Sequence, residues 1–352
     1  MSVRPEALDT DAEEMLRARA LLRQKRILII GGTGSLGQEL LSFLHESNDL
    51  VIFSRDEEKQ WRTKHQYPAA HIRCVVGDIR DIDSVVAALR TYRPQVVINA
   101  AALKQITTCE YHPYESVKTN VLGVQNLINA VLHAGQGVET VVGISTDKAC
   151  QPINVYGMGK AIQERMYVEA NLHTESTRFV CVRYGNVLES RGSVIPLFKS
   201  QIAKGGPVTI TLPHMTRFLL SLRQSVQLIL TAYEFGLPGD LWIPKAVSAT
   251  VGDLAHVLIQ GRSIPVVETG IRPGEKIHEA LIAEEEVLRT IEYRDHYVIE
   301  PILPELRSRR AAGREGESRP VAFTRYASDG SVLSREALHA LLTQHGVMHA
   351  NG

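Results

Sequence analysis

The chain has 352 residues, 39 Lys plus Arg against 39 Asp plus Glu, and a formal net charge of zero. A neutral chain lacks the broad basic surface that nucleic acids or anionic membranes require, so neither partner is expected and any important cations must be local. With 44% hydrophobic residues and no apolar run near the roughly 18–20 residues of a membrane span, the composition is that of a soluble globular protein with room for one large α/β unit and a smaller lobe.

Residues 1–25 read as an N-terminal helical extension, with an amphipathic helix over Thr10–Arg23 and no export signal. Arg26–Ile30 is a short apolar strand that runs into a glycine turn, and a helix to about His45 follows. Further apolar strands are predicted at Leu50–Phe53, Arg73–Val76, Val96–Asn99, Thr140–Ser145 and Arg178–Val182. Helices are predicted between them at Asp81–Arg90, Pro113–Ala134 and Tyr156–Ala170. Strands apolar nearly throughout, alternating with helices, imply a doubly wound parallel sheet of the Rossmann type. After about Asn186 the rhythm breaks into short strands (Val208–Thr211, Leu241–Ile243) and short helices (Leu222–Tyr233, Val251–Leu258). Residues 26–185 therefore form a nucleotide-binding domain and 186–306 a smaller lobe, with the chain free to cross between them. Residues 307–352 are a linker, charged over Arg307–Pro320, and a last helix from the Ser334 N-cap to about His345, with Leu338, Leu341 and Leu342 on one face. The four cysteines (Cys74, Cys109, Cys150, Cys181) lie far apart, as reduced cytosolic thiols do. The histidines show no metal-ligand spacing; His112, His214 and His278 read as surface or packing residues.

The turn Gly31-Gly32-Thr33-Gly34-Ser35-Leu36-Gly37 sits between a strand and a helix, the context that makes a glycine pattern a dinucleotide site. Gly31 allows the turn, Gly34 lets backbone approach a pyrophosphate, and Gly37 lets helix and strand pack closely, with Thr33, Ser35 and Leu36 completing the cradle. The second strand ends in Ser54-Arg55-Asp56-Glu57-Glu58-Lys59. Ser54 and Arg55, with Lys59 one turn on, replace the carboxylate that would hold a ribose 2′-hydroxyl, so NADP is expected over NAD. Asp78 is placed to accept from the adenine amino group. Ile79 and the small residues Ala100, Ala101 and Ala102 would line the cofactor.

The fifth strand ends in Ser145-Thr146-Asp147-Lys148, and Tyr156 and Lys160 follow at i and i+4, on one helical face. Positive charge from Lys160 and an oxidised nicotinamide would favour the Tyr156 phenolate as a base toward a sugar hydroxyl.

These residues resemble the extended short-chain dehydrogenases/reductases and, within them, the configuration-inverting UDP-N-acetylglucosamine 4,6-dehydratases of polysaccharide biosynthesis. The resemblance rests on GGTGSLG (from Gly31), SRDEEKQ (from Ser54), AALKQIT (from Ala101), KTNVLGVQN (from Lys118), STDKACQPINVYGMGK (from Ser145), VRYGNVLESRGSVIP (from Val182), MTRF (from Met215) and GIRPGEK (from Gly270). It implies that Lys148 is the C5 base, that Asp147 is the C6 acid and that Thr146 holds the substrate's O4. It also implies a UDP-sugar substrate and a homo-oligomer, and the missing export signal and dispersed cysteines lead to the expectation of a cytoplasmic location. Tyr156 itself resembles the inverting branch, whereas Met158-Gly159 departs from the usual residues before the Lys. A UDP-sugar brings two phosphates, for which Arg217 and Arg272 are the candidate partners. Glu275 is placed to accept from ribose hydroxyls, and Asn186 to donate to phosphate or the sugar amide. Lys104 and Arg191 are weaker candidates near the pocket mouth, and Lys276 and Glu279 are expected to support the turn. A 4-epimerase or a dehydratase of another nucleotide sugar is the second reading, since epimerisation has no use for an acid and base at C6 and C5. A dinucleotide-sensing regulator without catalysis is the third.

Overall fold

The computed structural model describes residues 22–68, 71–188, 190, 192–308 and 318–348. The expected Thr10–Arg23 helix lies almost wholly outside the described residues, as does Arg191.

Six strands follow the expected alternation: β1 (Arg26–Ile30), β2 (Asp49–Ser54), β3 (Ile72–Val76), β4 (Val96–Asn99), β5 (Thr140–Thr146) and β6 (Arg178–Tyr184). After β7 (Asn186–Val187), β8 (Val208–Ile210) and β9 (Thr216–Leu220) come β10 (Leu241–Pro244) and β11 (Val247–Thr250). The remainder are β12 (Val266–Glu268), β13 (Ala280–Ile282), β14 (Thr290–Tyr293), β15 (His296–Ile299), β16 (Ser318–Pro320) and β17 (Tyr326–Ala327). The central sheet has the order β16-β14-β15-β10-β6-β5-β4-β1-β2-β3. From β3 to β10 every neighbour is parallel; β15, β14 and β16 extend it antiparallel. Chain order reverses between β1 and β4, the crevice where doubly wound sheets bind ligands.

The strands are apolar on both faces because both faces are covered. Ile27 and Ile29 point to one layer, with Leu40, Leu41 and Leu44 of the Ser35–Leu44 helix and Val226 and Leu230 of the Leu222–Phe235 helix. Leu28 and Ile30 point to the other, with Val85, Leu89, Leu127 and Tyr167. Each such fully buried aliphatic side chain contributes about 1.5–3 kcal/mol of transfer free energy. A third core belongs to the lobe: Ile195, Phe198, Met215, Leu254 and Leu258, closed by Leu338 and Leu342 of the Arg335–Gln344 helix. Ser334 caps that helix as expected, accepting from the Ala337 N–H at 3.2 Å.

Two expectations change. After β6 the chain returns to the sheet with β10, β14, β15 and β16, so sheet and lobe are interleaved. The last of these, Ser318–Pro320, lies inside the stretch read as linker; as an edge strand it tolerates its terminal proline. The helix expected over Pro113–Ala134 is also interrupted. Its middle, Lys118–Leu122, is a wider π-turn between the Pro113–Val117 and Gly123–Ala134 segments. Among the described residues no helix is long and apolar enough to cross a membrane, and all four cysteines are unpaired.

Candidate active site

The carboxyl ends of β1–β6 open into one cleft of about 1030 Å³, lined also by the lobe. Gly31 stands at φ 79°, and a Cβ there would lie 2.8 Å from the Ala101 nitrogen, so the turn presses against the end of β4. Gly34 caps the Ser35–Leu44 helix with no capping side chain and no acid in the first turn. That helix N-terminus lines the cleft, a position that fits a dinucleotide pyrophosphate. Thr33, Ser35, Leu36, Gly37, Ser54, Arg55, Lys59, Asp78, Ile79, Ala100, Ala101 and Ala102 all line the cleft.

At its mouth the charges are arranged differently from the sequence expectation. Asp56 caps the Glu57–Gln66 helix, accepting from the Lys59 N–H at 3.0 Å, and also pairs with the Lys59 ammonium. Ser54 Oγ accepts from Gln60 at 3.0 Å. Arg55 remains largely exposed, 3.6 Å from Asp78. Asp78 is not the open acceptor expected. Arg80 donates to its Oδ2 at 2.6 and 2.8 Å and to its Oδ1 through the backbone N–H at 3.0 Å. Burial pushes the Asp78 carboxyl up, but the Arg80 bonds outweigh burial and hold it below the ordinary range. Arg80 also reaches Glu115 at 2.9 Å.

The floor is dry. Asp147 and Lys148 open a single 3-10 turn after β5, and Asp147 is fully buried. Lys148 Nζ lies 3.0 Å from Asp147 Oδ1 and 3.5 Å from Glu279 Oε1. Burial alone would lower the Lys148 ammonium; the charges of Asp147 and Glu279 win, against Arg217, and raise it well above its ordinary value. The Val155–Ala170 helix lies against this turn because residue 157 is glycine: a Cβ there would sit 2.1 Å from the Lys148 carbonyl oxygen. Asn154 caps the helix by accepting from the Gly157 N–H at 2.7 Å.

Tyr156 and Lys160, one turn apart, are both buried. Burial pushes the Tyr156 phenol up to about 12, opposed by the Lys148 charge, aided by Asp147 and opposed again by a hydrogen bond with Thr146. Lys148 is thus a cation that eases Tyr156 ionisation. The Lys160 ammonium is held at the Ile144 carbonyl and Gln163 Oε1, both at 2.7 Å, and burial lowers it to about 8.

The polysaccharide biosynthesis protein family model matches residues 27–301. The chain belongs to that family. It is 39% identical over 326 residues to the inverting UDP-N-acetylglucosamine 4,6-dehydratase of Campylobacter jejuni, covering 89% of this chain and 95% of that protein. It is 41% identical over 285 residues to the UDP-glucose 4-epimerase of Rickettsia massiliae, covering 78% and 82%. Among solved structures, Pen from Bacillus thuringiensis superposes with a TM-score of 0.86 at 34% identity, covering 93% of this chain and 99% of Pen.

In this family member Lys104, Asn186, Arg217, Arg272 and Glu275 also line the cleft. Asn186 Oδ1 and Glu275 Oε2 are buried acceptors without a protein partner. Arg272 is half exposed, 3.9 Å from Glu275. Arg217 is partly committed elsewhere: it donates to the carbonyls of Thr216, Ile277 and Lys276 at 2.7, 3.1 and 3.0 Å, so it latches the 276–277 backbone against β9. Lys276 supports the turn as expected, donating to the Cys150 carbonyl at 2.6 Å. Glu279 faces both the turn and the buried pair: Oε2 lies 3.8 Å from the Lys276 ammonium without a hydrogen-bond partner, and Oε1 lies 3.5 Å from Lys148.

Sequence reasoning missed Arg80, the π-turn pair Thr119 and Asn120, and the approach of Glu279 to Lys148. Asn120 accepts from the Leu103 N–H and donates to the Leu103 carbonyl, both at 2.9 Å, fixing the cleft wall after β4. Thr119 lines the cleft with its hydroxyl unpartnered. Their signal was the KTNVLG segment itself; for Arg80 no local signal existed, since an Arg one residue past an expected contact reads as an ordinary surface charge.

Proposed function

We propose that the protein is a nucleotide-sugar dehydratase that converts UDP-GlcNAc to a UDP-2-acetamido-2,6-dideoxy-4-keto-hexose, inverting C5. The observation that carries this reading is the buried Asp147–Lys148 pair, with Lys148 and Tyr156 lining one cleft of about 1030 Å³. A nicotinamide bound there supplies the hydride acceptor for C4 and the hydride donor for C6. NADP is the favoured form: Asp56, though it lines the cleft, is committed as a helix cap and to Lys59, while Arg55 stands exposed at the mouth.

The residues divide the proton work. Tyr156 takes the O4 proton as C4 is oxidised, and the resulting ketone acidifies C5–H. Elimination then needs an amine at C5 and a carboxylic acid at C6. At rest the pair is ionic. One proton shift over 3.0 Å, from Lys148 Nζ to Asp147 Oδ1, makes both neutral forms without changing the pair's charge. The amine takes the C5 proton, and the acid protonates the C6 hydroxyl, which leaves as water. The two groups titrate as one coupled unit. The orphaned acceptors Asn186 Oδ1 and Glu275 Oε2 supply sites for a sugar amide N–H and a ribose hydroxyl, and Arg272 supplies charge for the diphosphate.

The 4-epimerase reading is supported by the Rickettsia relative. It needs only Tyr156 and leaves a costly buried ion pair without use, so the dehydratase is preferred. Incubation with UDP-GlcNAc in D₂O, followed by NMR and mass, decides. Loss of water with deuterium at C5 is expected; UDP-GalNAc formed without loss of water would overturn the proposal in favour of the epimerase.

A further inference from the structure

Lys160 is a buried cation that lines the cleft, and among the described residues it pairs with no carboxylate. Its ammonium donates to two neutral oxygens, the Ile144 carbonyl and Gln163 Oε1, each at 2.7 Å. Gln163, with 0% exposure, donates its own amide to the same Ile144 carbonyl at 3.1 Å. Ammonium, amide and carbonyl thus form a closed triangle.

Local structure sets this up. β4 ends at Asn99, opposite Gly143, so its ladder stops one residue short of Ile144. A Cβ on Gly143 would lie 2.2 Å from Tyr167 Cε2, so the glycine lets the Val155–Ala170 helix rest directly on β5. Residues three apart share a helix face, which places Lys160 and Gln163 together over the Ile144 carbonyl.

A buried ammonium is ordinarily balanced by a carboxylate, because its charge is costly to strand. An amide bonds the ammonium without cancelling its charge. Burial lowers the Lys160 ammonium to about 8, opposed by Cys181 of β6 and Glu164 of the same helix. Glu164 is itself taken up by Arg183 and Ser145. From the turn after β5, Asp147 and Lys148 act on Tyr156, one helical turn from Lys160. The π-turn brings the neutral Asn120 and Val121 against Gly159, and its Lys118 pairs with Glu115. Two of the three ammonium N–H groups are used within the protein, which leaves one for a ligand in the cleft.

We propose that Gln163 is a positioning residue of the cofactor site: it fixes the Lys160 ammonium against Ile144 and, being neutral, leaves the charge and the third N–H of Lys160 to a bound nicotinamide dinucleotide. A carboxylate at 163 would hold the lysine but neutralise it. The proposal rests on the dinucleotide reading of the cleft and is independent of the choice between dehydratase and epimerase.

Calorimetric titration of the whole protein with NADP over about pH 6.5–9.5 tests it, comparing wild type with Gln163→Glu, Gln163→Leu and Lys160→Met. The ammonium is the form that donates, so wild-type affinity is expected to fall as pH rises through the Lys160 value of about 8. Lys160→Met should lack that limb. Gln163→Glu sets a carboxylate beside the ammonium and should move the limb up by about one pH unit or more. Gln163→Leu removes an acceptor from the ammonium. It should move the limb down and weaken NADP binding about tenfold at neutral pH. A limb that stays at the wild-type pH in both Gln163 variants would overturn the proposal, even with weakened binding, since a purely structural role predicts that result. A limb that survives in Lys160→Met would overturn it as well. If Gln163→Leu does not fold, the shift in Gln163→Glu is read alone. Wild-type protein that binds neither NADP nor NAD would instead overturn the dinucleotide reading, and the role of Gln163 with it.

Discussion

Two clusters of paired charges bracket the cleft, built from the same residue types in opposite surroundings. At the mouth, Arg55, Asp78, Arg80 and Glu115 form a chain of ion pairs in which the Arg55 side chain is 57% exposed. On the floor, Lys148 sits between Asp147 and Glu279, with side-chain exposures of 14%, 0% and 2%. Two unit charges 4 Å apart interact by about 1 kcal/mol in bulk water and about 4 kcal/mol at an effective dielectric constant of about 20. The mouth can therefore exchange partners cheaply, which suits admitting and releasing an anionic ligand. The floor cannot leave a charge unpaired, which under the proposed dehydratase reading suits moving protons between fixed groups. Position relative to water, not residue type, separates recognition from chemistry here.

The contrast is broken most severely at the floor. Lys148→Ala is expected to retain NADP binding by calorimetry and to lose water elimination by about 10²–10⁴-fold; normal dehydration would reject the base. Next comes the strut beneath it. Arg183 on β6 is buried and pairs with Glu164 at 2.6 Å and Glu286 at 2.7 Å. Arg183→Ala should cost about 3–5 kcal/mol in denaturant unfolding, because it strands buried carboxylates, whereas Arg80→Ala at the mouth should leave stability nearly unchanged. Burial pushes Glu286 up, but Arg183 prevails and holds it below its ordinary value. Its contribution is thus fully present above about pH 4.3, the unfolded value, and is lost as pH falls through the lower folded value. Equal loss in the two variants would erase the distinction.

Glu279→Gln sharpens the comparison more gently. Glu279 helps raise Lys148, so its removal should move the ascending limb of the dehydration pH profile to lower pH; an unmoved limb would show that Glu279 exerts no charge effect on the base. The smallest effect is expected at the exposed end. Arg55→Ala should weaken NADP binding about tenfold while leaving NAD binding unchanged. An unaltered preference between the cofactors would remove Arg55 from that role.

Much of this was readable along the chain because it is local. The six apolar strands, the glycine turn and the Tyr156–Lys160 spacing each depend on neighbours within a few residues, and hydrophobic periodicity and turn chemistry act over that range. Even Asp147–Lys148 is a sequence neighbour pair. The Pro113–Ala134 segment shows the limit. Its helical periodicity was right at both ends, but the π-turn between them, which aims Asn120 at Leu103, follows from a contact outside the segment.

The sequence by itself determined the doubly wound sheet, the crevice between β1 and β4 and the identity of the groups at the end of β5. Only the tertiary structure decided how those groups are charged. Glu279 reaches Lys148 because β13, which follows it, pairs with β17, while Ser328 Oγ accepts from the Glu279 N–H at 2.9 Å. Arg217 is a latch because the 276–277 carbonyls come to it. Tyr156 is tuned by Lys148, and Gly157 lets its helix lie against the Lys148 turn. Electrostatic strength depends on distance and on exclusion of water. Both are set by segments far apart in the chain, and neither is written into local spacing.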